Sequence, residues 1–293
     1  MKFFDAYIGA LLQNNAPVVT AYELYLLGQT LFVAGEWAGQ RLLRRPTCWD
    51  STRAKRAENR LVARRAIVSD TDFGSGVWRI VQSTRAGTAE EVACIADPFC
   101  YVSHLSAMQR YGLTERTPEA LHLTTPNRPI WNQMWAEHYQ GKLRSDGSEF
   151  IPLFSRPGFM SMIRRRPVVV HETMHPAKSV AVRGERTRIA SIGRTFVDML
   201  SEPKLCGGMR HVIGVWEDNA EGWANDIIEA VDAIDAKIVK VRAGYMLSER
   251  LGLTDPRVDA WTAFAQRGGS RKLDPEGDYA PHFSERWMIS LNV

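Results

Sequence analysis

The chain has 293 residues, 45% of them hydrophobic and 24% charged, with a formal net charge of +4; this excludes a disordered or fibrous polypeptide and provides enough chain for two domains that each bury a core. No run of about 18 apolar residues occurs, and the first segment lacks the cationic n-region and small-residue cleavage site of a secretory signal, so the reading is a cytoplasmic protein with no membrane span. Cys48, Cys94, Cys100 and Cys206 form no C-x-x-C pair and are too sparse for a disulfide framework, which also fits a reducing compartment.

The charge is unevenly placed. Residues 1–87 hold twelve Lys and Arg against seven Asp and Glu, while the remainder has one acid in excess. Such asymmetry points to nucleic-acid contact, with a solvated basic face as the ordinary alternative.

In chain order, Phe3, Phe4, Tyr7, Ile8, Leu11 and Leu12 recur at three- and four-residue steps, the period of an amphipathic helix ending near Asn14 and Asn15. Thr20-Ala21-Tyr22-Glu23 has the pattern of a capping box and predicts a second helix to about Phe32. Gly35, Gly39 and Pro46 punctuate a longer connection holding Arg41, Arg44 and Arg45, with room for a short helix from Glu36 to Leu43. Asp50 and Ser51 are favourable N-cap residues, and Thr52 to Arg65 contains neither Gly nor Pro, so a third helix is predicted there. On it Ala54, Ala57 and Leu61 form a narrow apolar stripe, while Arg53, Arg56, Arg60 and Arg64 fall within about 90° of one another around the axis. Ala66-Ile67-Val68 and Val77-Trp78-Arg79-Ile80-Val81 are β-prone runs joined by the Gly, Asp and Ser-rich loop Asp70 to Gly76, the pattern of a hairpin.

Three helices followed by a hairpin is the order of a winged helix-turn-helix, whose third helix enters the major groove. The candidate contacts to double-stranded DNA are Arg53, Lys55, Arg56, Asn59, Arg60 and Arg64 on the third helix and Arg79 on the wing. Arginines in that setting take guanine bidentately or clamp phosphates, and Asn59 is suited to adenine. Beyond a linking helix at Gly87 to Asp97 the pattern is mixed. Strand-like runs at Leu121 to Thr124 and Val168 to Val170 alternate with helical segments near Ser103 to Tyr111, Ile130 to Tyr139, Ile192 to Leu200, Gly222 to Ile234 and Lys237 to Leu251. The reading is α+β, a winged helix-turn-helix domain at 1–87 followed by a larger mixed α/β domain at 88–293.

His171-Glu172-Thr173-Met174-His175 matches H-E-x-x-H, the zinc-protease pattern. That chemistry requires a helix, where positions i and i+4 converge on one ion. Here the β-branched run Val168-Val169-Val170 precedes the motif and Pro176 follows it, favouring a strand on which the two histidines stand about 13 Å apart. Neither a G-x-S-x-G elbow, nor a P-loop, nor a G-x-G-x-x-G after a strand is present. The chain is therefore read as a non-enzyme without cofactor, with a zinc metallohydrolase using His171, Glu172 and His175 as a minor alternative.

Five phrases, in order, resemble AbiEi antitoxins, the regulator half of type IV toxin–antitoxin and abortive-infection systems. The winged-helix phrases are Val18-Val19-Thr20-Ala21-Tyr22-Glu23-Leu24 and the run Arg60 to Ile67 closing on Gly76-Val77-Trp78-Arg79-Ile80. The others are Tyr101-Val102-Ser103-His104-Leu105-Ser106-Ala107-Met108 with Tyr111-Gly112-Leu113, then Gly193-Arg194-Thr195-Phe196-Val197-Asp198-Met199-Leu200 with Pro203 and Gly207-Gly208, and last Ala243-Gly244-Tyr245-Met246-Leu247-Ser248-Glu249-Arg250-Leu251-Gly252. The resemblance implies a transcriptional autorepressor, a homodimer on DNA, that binds inverted repeats in its own promoter and counters a cognate nucleotidyltransferase toxin. The alternative is a protein-binding module that neutralises the toxin directly. The connection between the second and third helices, residues 27–49, is longer than the family's usual turn. Leu105, Met108, Phe196, Leu200, Tyr245 and Leu251 have the spacing of core residues, and Arg194 with Asp198 that of an i, i+4 ion pair.

Overall fold

The computed structural model describes residues 1–139, 156–266 and 271–293, and over these the chain is a mixed α+β protein. Helix α1 (Phe3–Gln13) buries Phe3, Phe4, Tyr7 and Leu11, the spacing that predicted it. Strand β1 (Val18–Thr20) leads into α2 (Ala21–Ala34), whose capping box is complete: the Glu23 amide donates to Thr20 Oγ1 at 3.1 Å and the Thr20 amide to Glu23 Oε2 at 2.9 Å. Gly35 closes the helix in the left-handed conformation. Strands β2 (Glu36–Trp37) and β3 (Gln40–Arg41) then form a hairpin where a short helix was expected. Ala38 and Gly39 both take positive φ, 49° and 73°, the turn that matches strand twist and that no helix accommodates.

Helix α3 (Ser51–Ala63) is followed by β4 (Ile67–Ser69) and β5 (Val77–Ile80), the expected hairpin. β1 pairs with the other side of β5, Val18 opposite Arg79, giving a three-stranded sheet in the order β1-β5-β4. Helix α4 (Ala89–Ala96) is buried at every residue. The chain continues through β6 (Tyr101–Val102), α5 (His104–Arg110), β7 (Leu121–Pro126) and α6 (Arg128–Tyr139). After these come β8 (Met162–Ile163), β9 (Arg166–Thr173), β10 (Ser179–Ala181) and β11 (Arg188–Ala190). Helices α7 (Ile192–Ser201), α8 (Met209–Asn219), α9 (Ala224–Asp232), α10 (Lys237–Tyr245) and α11 (Pro256–Ala260) precede the hairpin of β12 (Phe283–Ser284) and β13 (Ile289–Ser290).

Packing divides the chain into two compact units, one of residues 1–100, 124–175 and 182–188 and the other of 101–123, 176–181 and 189–293. These units are drawn by packing, and in the first of them segments remote in sequence are joined by side-chain chemistry. In the first unit the rings of Trp131 and Trp135 on α6 stack at 5.1 Å, and Trp135 meets Tyr22 of α2 edge-on at 4.8 Å. Asp97, wholly buried, accepts from Trp131 Nε1 at 2.9 Å and Thr125 Oγ1 at 2.6 Å. Arg188 donates to the carbonyls of Asp97 and Cys100 at 2.6 and 3.0 Å. A buried carboxylate without such donors is costly, so these contacts fix the later segments to the first hundred residues.

The second unit is built on α7, which buries Phe196, Val197, Met199 and Leu200. Phe196 meets Trp216 of α8 edge-on at 5.2 Å. α7 lies so close to α9 that a Cβ at Gly193 would stand 2.0 Å from the carbonyl oxygen of Asp226.

Candidate nucleic-acid interface

Helix α3 is positioned at its start by Asp50, whose Oδ1 accepts from the Arg53 amide at 2.8 Å. That backbone hydrogen bond holds the Asp50 carboxyl below its usual range. Leu61 is fully buried and Ala54 and Ala57 are half-buried, the stripe that the spacing predicts. Glu58 also turns inward, a feature the sequence pattern does not reveal. It is buried, forms an ion pair with Lys55, and adds to burial in raising the Tyr7 phenol above its ordinary range. Tyr7 donates to the carbonyl of Leu24 at 2.6 Å, joining α1 to α2.

The predicted contact residues divide into three groups. Arg53 is engaged by the protein itself, at 2.7 Å from Asp50 Oδ2 and 2.6 Å from Cys48 Sγ, and Lys55 is paired with Glu58. Arg60 and Arg64 are exposed but share the ring of Phe4, their guanidinium carbons 4.1 and 5.1 Å from its centroid, and Arg64 also lies 3.7 Å from Asp5. Arg56 and Asn59 are exposed, and among the described residues their side chains make no hydrogen bond or ion pair. One helical turn therefore presents a free guanidinium and a free amide on one face.

The hairpin is less free than its sequence suggests. Arg79 is exposed on β5 with its Nε 3.5 Å from Asp70. The loop after β4 is held by a segment about 90 residues later: the Gly74 amide donates to Gly158 at 2.9 Å and Phe73 meets Phe159 edge-on at 5.8 Å. Arg164 reaches Asp70 at 2.8 Å and also pairs with Asp72. Burial of Asp70 raises its affinity for a proton, but the hydrogen bonds and charge of Arg164 outweigh it and leave the carboxyl below its usual range.

His171 and Glu172 lie on β9, and His175 beyond its end; Glu172 pairs with Arg156 at 2.7 Å. The helix that H-E-x-x-H zinc binding requires is not what this segment forms. Among the described residues no three of His, Cys, Asp and Glu are grouped to hold a metal ion. In the second unit, an open pocket of about 650 Å³ is lined by residues that include Thr114, Arg116, Arg210, His211 and Asp218. His211 Nε2 is 2.9 Å from Thr114 Oγ1, and burial together with the nearby Arg116 lowers its basicity.

No protein-family model matches the chain, and no curated protein matches it. Among solved structures it is similar to the RV2827C protein from Mycobacterium tuberculosis, at 14% identity over 98% of this chain and 90% of that one, with a TM-score of 0.45.

Proposed function

We propose that residues 1–87 form a winged helix-turn-helix that binds double-stranded DNA, and that the chain is a DNA-binding autorepressor and antitoxin. The observation that carries the DNA reading is the order α1-β1-α2-β2-β3-α3-β4-β5, with β1 closing antiparallel onto β5 and α3 presenting Arg56 and Asn59 free of protein partners among the described residues. A helix with such a face fits the major groove, where a bidentate side-chain pair with a base is worth about 1–3 kcal/mol of discrimination. On this reading Arg60 and Arg64, braced on Phe4, hold phosphates, and Arg79 adds a cation on the hairpin. The loop at Asp70 to Gly76 is assigned a structural role because residues 158–164 already occupy it.

The antitoxin half of the proposal is supported by the five phrases that resemble AbiEi proteins. On that reading the chain works in the cytoplasm, without a cofactor, as a homodimer on an inverted repeat, opposite a nucleotidyltransferase toxin. The test is retardation of a duplex from the region upstream of its own gene. The wild-type chain is expected to retard it, and the Arg56→Ala, Asn59→Ala variant to lose preference for it over a scrambled duplex. Equal preference by variant and wild type overturns the assignment of α3. Co-purification with a nucleotidyltransferase expressed from the adjacent gene tests the second half, and its absence overturns it.

A further inference from the structure

The connection between α2 and α3 is a built structure with a charged edge. Trp37 of β2 covers α1, so closely that a Cβ at Gly9 would lie 2.5 Å from the ring. Trp49 does the same to α2 at Gly28, and its Nε1 donates to the carbonyl of Tyr25 at 2.9 Å. Past β3, Leu42 is buried and Leu43 joins the start of α1 through two backbone hydrogen bonds, to Met1 at 2.7 Å and from Phe3 at 2.9 Å. The connection is therefore fixed to α1 and to α2.

Its exposed residues include the cations Arg41 and Arg44 and one carboxylate, Glu36, which stands opposite Arg41 in the β2–β3 register without a hydrogen bond or ion pair to it among the described residues. Arg41 and Arg44 are exposed, and among the described residues their side chains have no carboxylate or hydrogen-bond partner. Arg44 is held at φ 55°, a conformation that is unfavourable for a side-chain-bearing residue. Arg45 differs, since it is turned back onto Phe32, 5.5 Å above the ring. Leu43, the residue before Arg44, accepts from the Phe3 amide at the first turn of α1, and Arg60 and Arg64 lie over the ring of Phe4 in that same turn. The α2–α3 connection and the arginines of α3 thus both adjoin the first turn of α1.

We infer that the connection between α2 and α3 is a second DNA-contacting arm, in which Arg41 at the end of the hairpin and Arg44 just beyond it hold backbone phosphates of the same duplex that α3 enters. The inference rests on the DNA-binding reading and adds to it an element outside the helix-turn-helix. Guanidinium groups suit phosphate through paired charge-assisted hydrogen bonds, and a rigid arm loses little entropy on making them. Because phosphate contacts carry no base information, the arm sets affinity and salt dependence and leaves sequence preference to α3.

The experiment titrates the full chain with KCl against a fluorescein-labelled duplex from its own upstream region, read by anisotropy. The Arg41→Ala, Arg44→Ala variant is expected to give a plot of log affinity against log salt that is shallower by about 1.8, two contacts at about 0.9 each. Its preference for that duplex over a scrambled one and its thermal midpoint should match the wild type. The Arg41→Lys, Arg44→Lys variant should keep most of the wild-type slope. An unchanged slope in the alanine variant, or a changed oligomeric state with the slope intact, overturns the arm while wild-type binding leaves the DNA reading standing. Absence of salt-dependent binding by the wild type overturns both.

Discussion

Asp198 shows at one residue how burial and pairing compete. Its carboxylate accepts from Arg194 Nε at 2.6 Å, yet burial outweighs that attraction and, with Glu202 nearby, lifts its pKa from 3.8 to about 6. The folded state therefore binds this proton more tightly than the unfolded chain. The stabilisation from protonation is complete below the unfolded value of 3.8 and is lost as the pH rises through about 6. Across that window the difference amounts to about 3 kcal/mol at the usual 1.36 kcal/mol per pKa unit. Urea unfolding of Asp198→Asn should lack this fall in stability between pH 4 and 7, and a pH profile parallel to wild type counts against it. Asp50 carries the opposite sign, because its carboxyl is depressed by the Arg53 amide and its contribution fades as the pH drops below the ordinary carboxylate range. Replacing Asp50 with alanine removes the α3 cap and should cost about 1 kcal/mol in urea unfolding; a loss below a few tenths would show that the cap is idle.

Local patterns predict elements well when the information lies within a turn or two. The spacing of Phe3 to Leu12, the Thr20–Glu23 box and the Asp50 cap each stand in the structure where the residues place them. What escaped was set by contacts distant in sequence. β1 is only three residues long, too short for a period, and exists because β5 lies beside it. Glu58 turns inward near enough to act on Tyr7 of α1, and the loop at Asp70 is covered by Arg164, neither of which a local pattern carries. Two helical glycines make the same point about propensity. Glycine to alanine in a helix gains about 1 kcal/mol when nothing else changes, and a Cβ at Gly214 on α8 meets nothing within 4 Å. At Gly28 a Cβ would lie 1.9 Å from Trp49, whose ring also packs on Phe3 at 5.5 Å and so has little room to yield. Overpacking of that kind costs about 1–3 kcal/mol. Thermal unfolding should accordingly show Gly214→Ala more stable than wild type and Gly28→Ala less stable; the same sign for both would mean that the Trp49 contact is soft.

Over the whole molecule the question is which residues must be present together. A boundary at Gly87 follows charge and pattern, but packing joins residues 124–175 and 182–188 to the first hundred. The side chain of Asp70 is fully buried, and Arg164, from far along the chain, provides its closest cation. Removing one partner from a buried ion pair costs about 3–5 kcal/mol because the other charge is left without compensation. A fragment of residues 1–87 loses Arg164, the α4 helix and the Trp135 ring against Tyr22 at once. That loss is comparable with the 5–15 kcal/mol stability typical of a whole domain. The fragment should therefore lack a cooperative thermal transition and retard no duplex, even though it holds every predicted DNA contact. In the full chain Arg164→Met should lower stability by about 3 kcal/mol and expose the loop at Asp70 to Gly76 to rapid amide exchange, leaving α3 protected. A fragment that melts cooperatively and binds DNA with full affinity would show that residues 1–87 fold autonomously, and that residues 156–164 decorate that part instead of completing it.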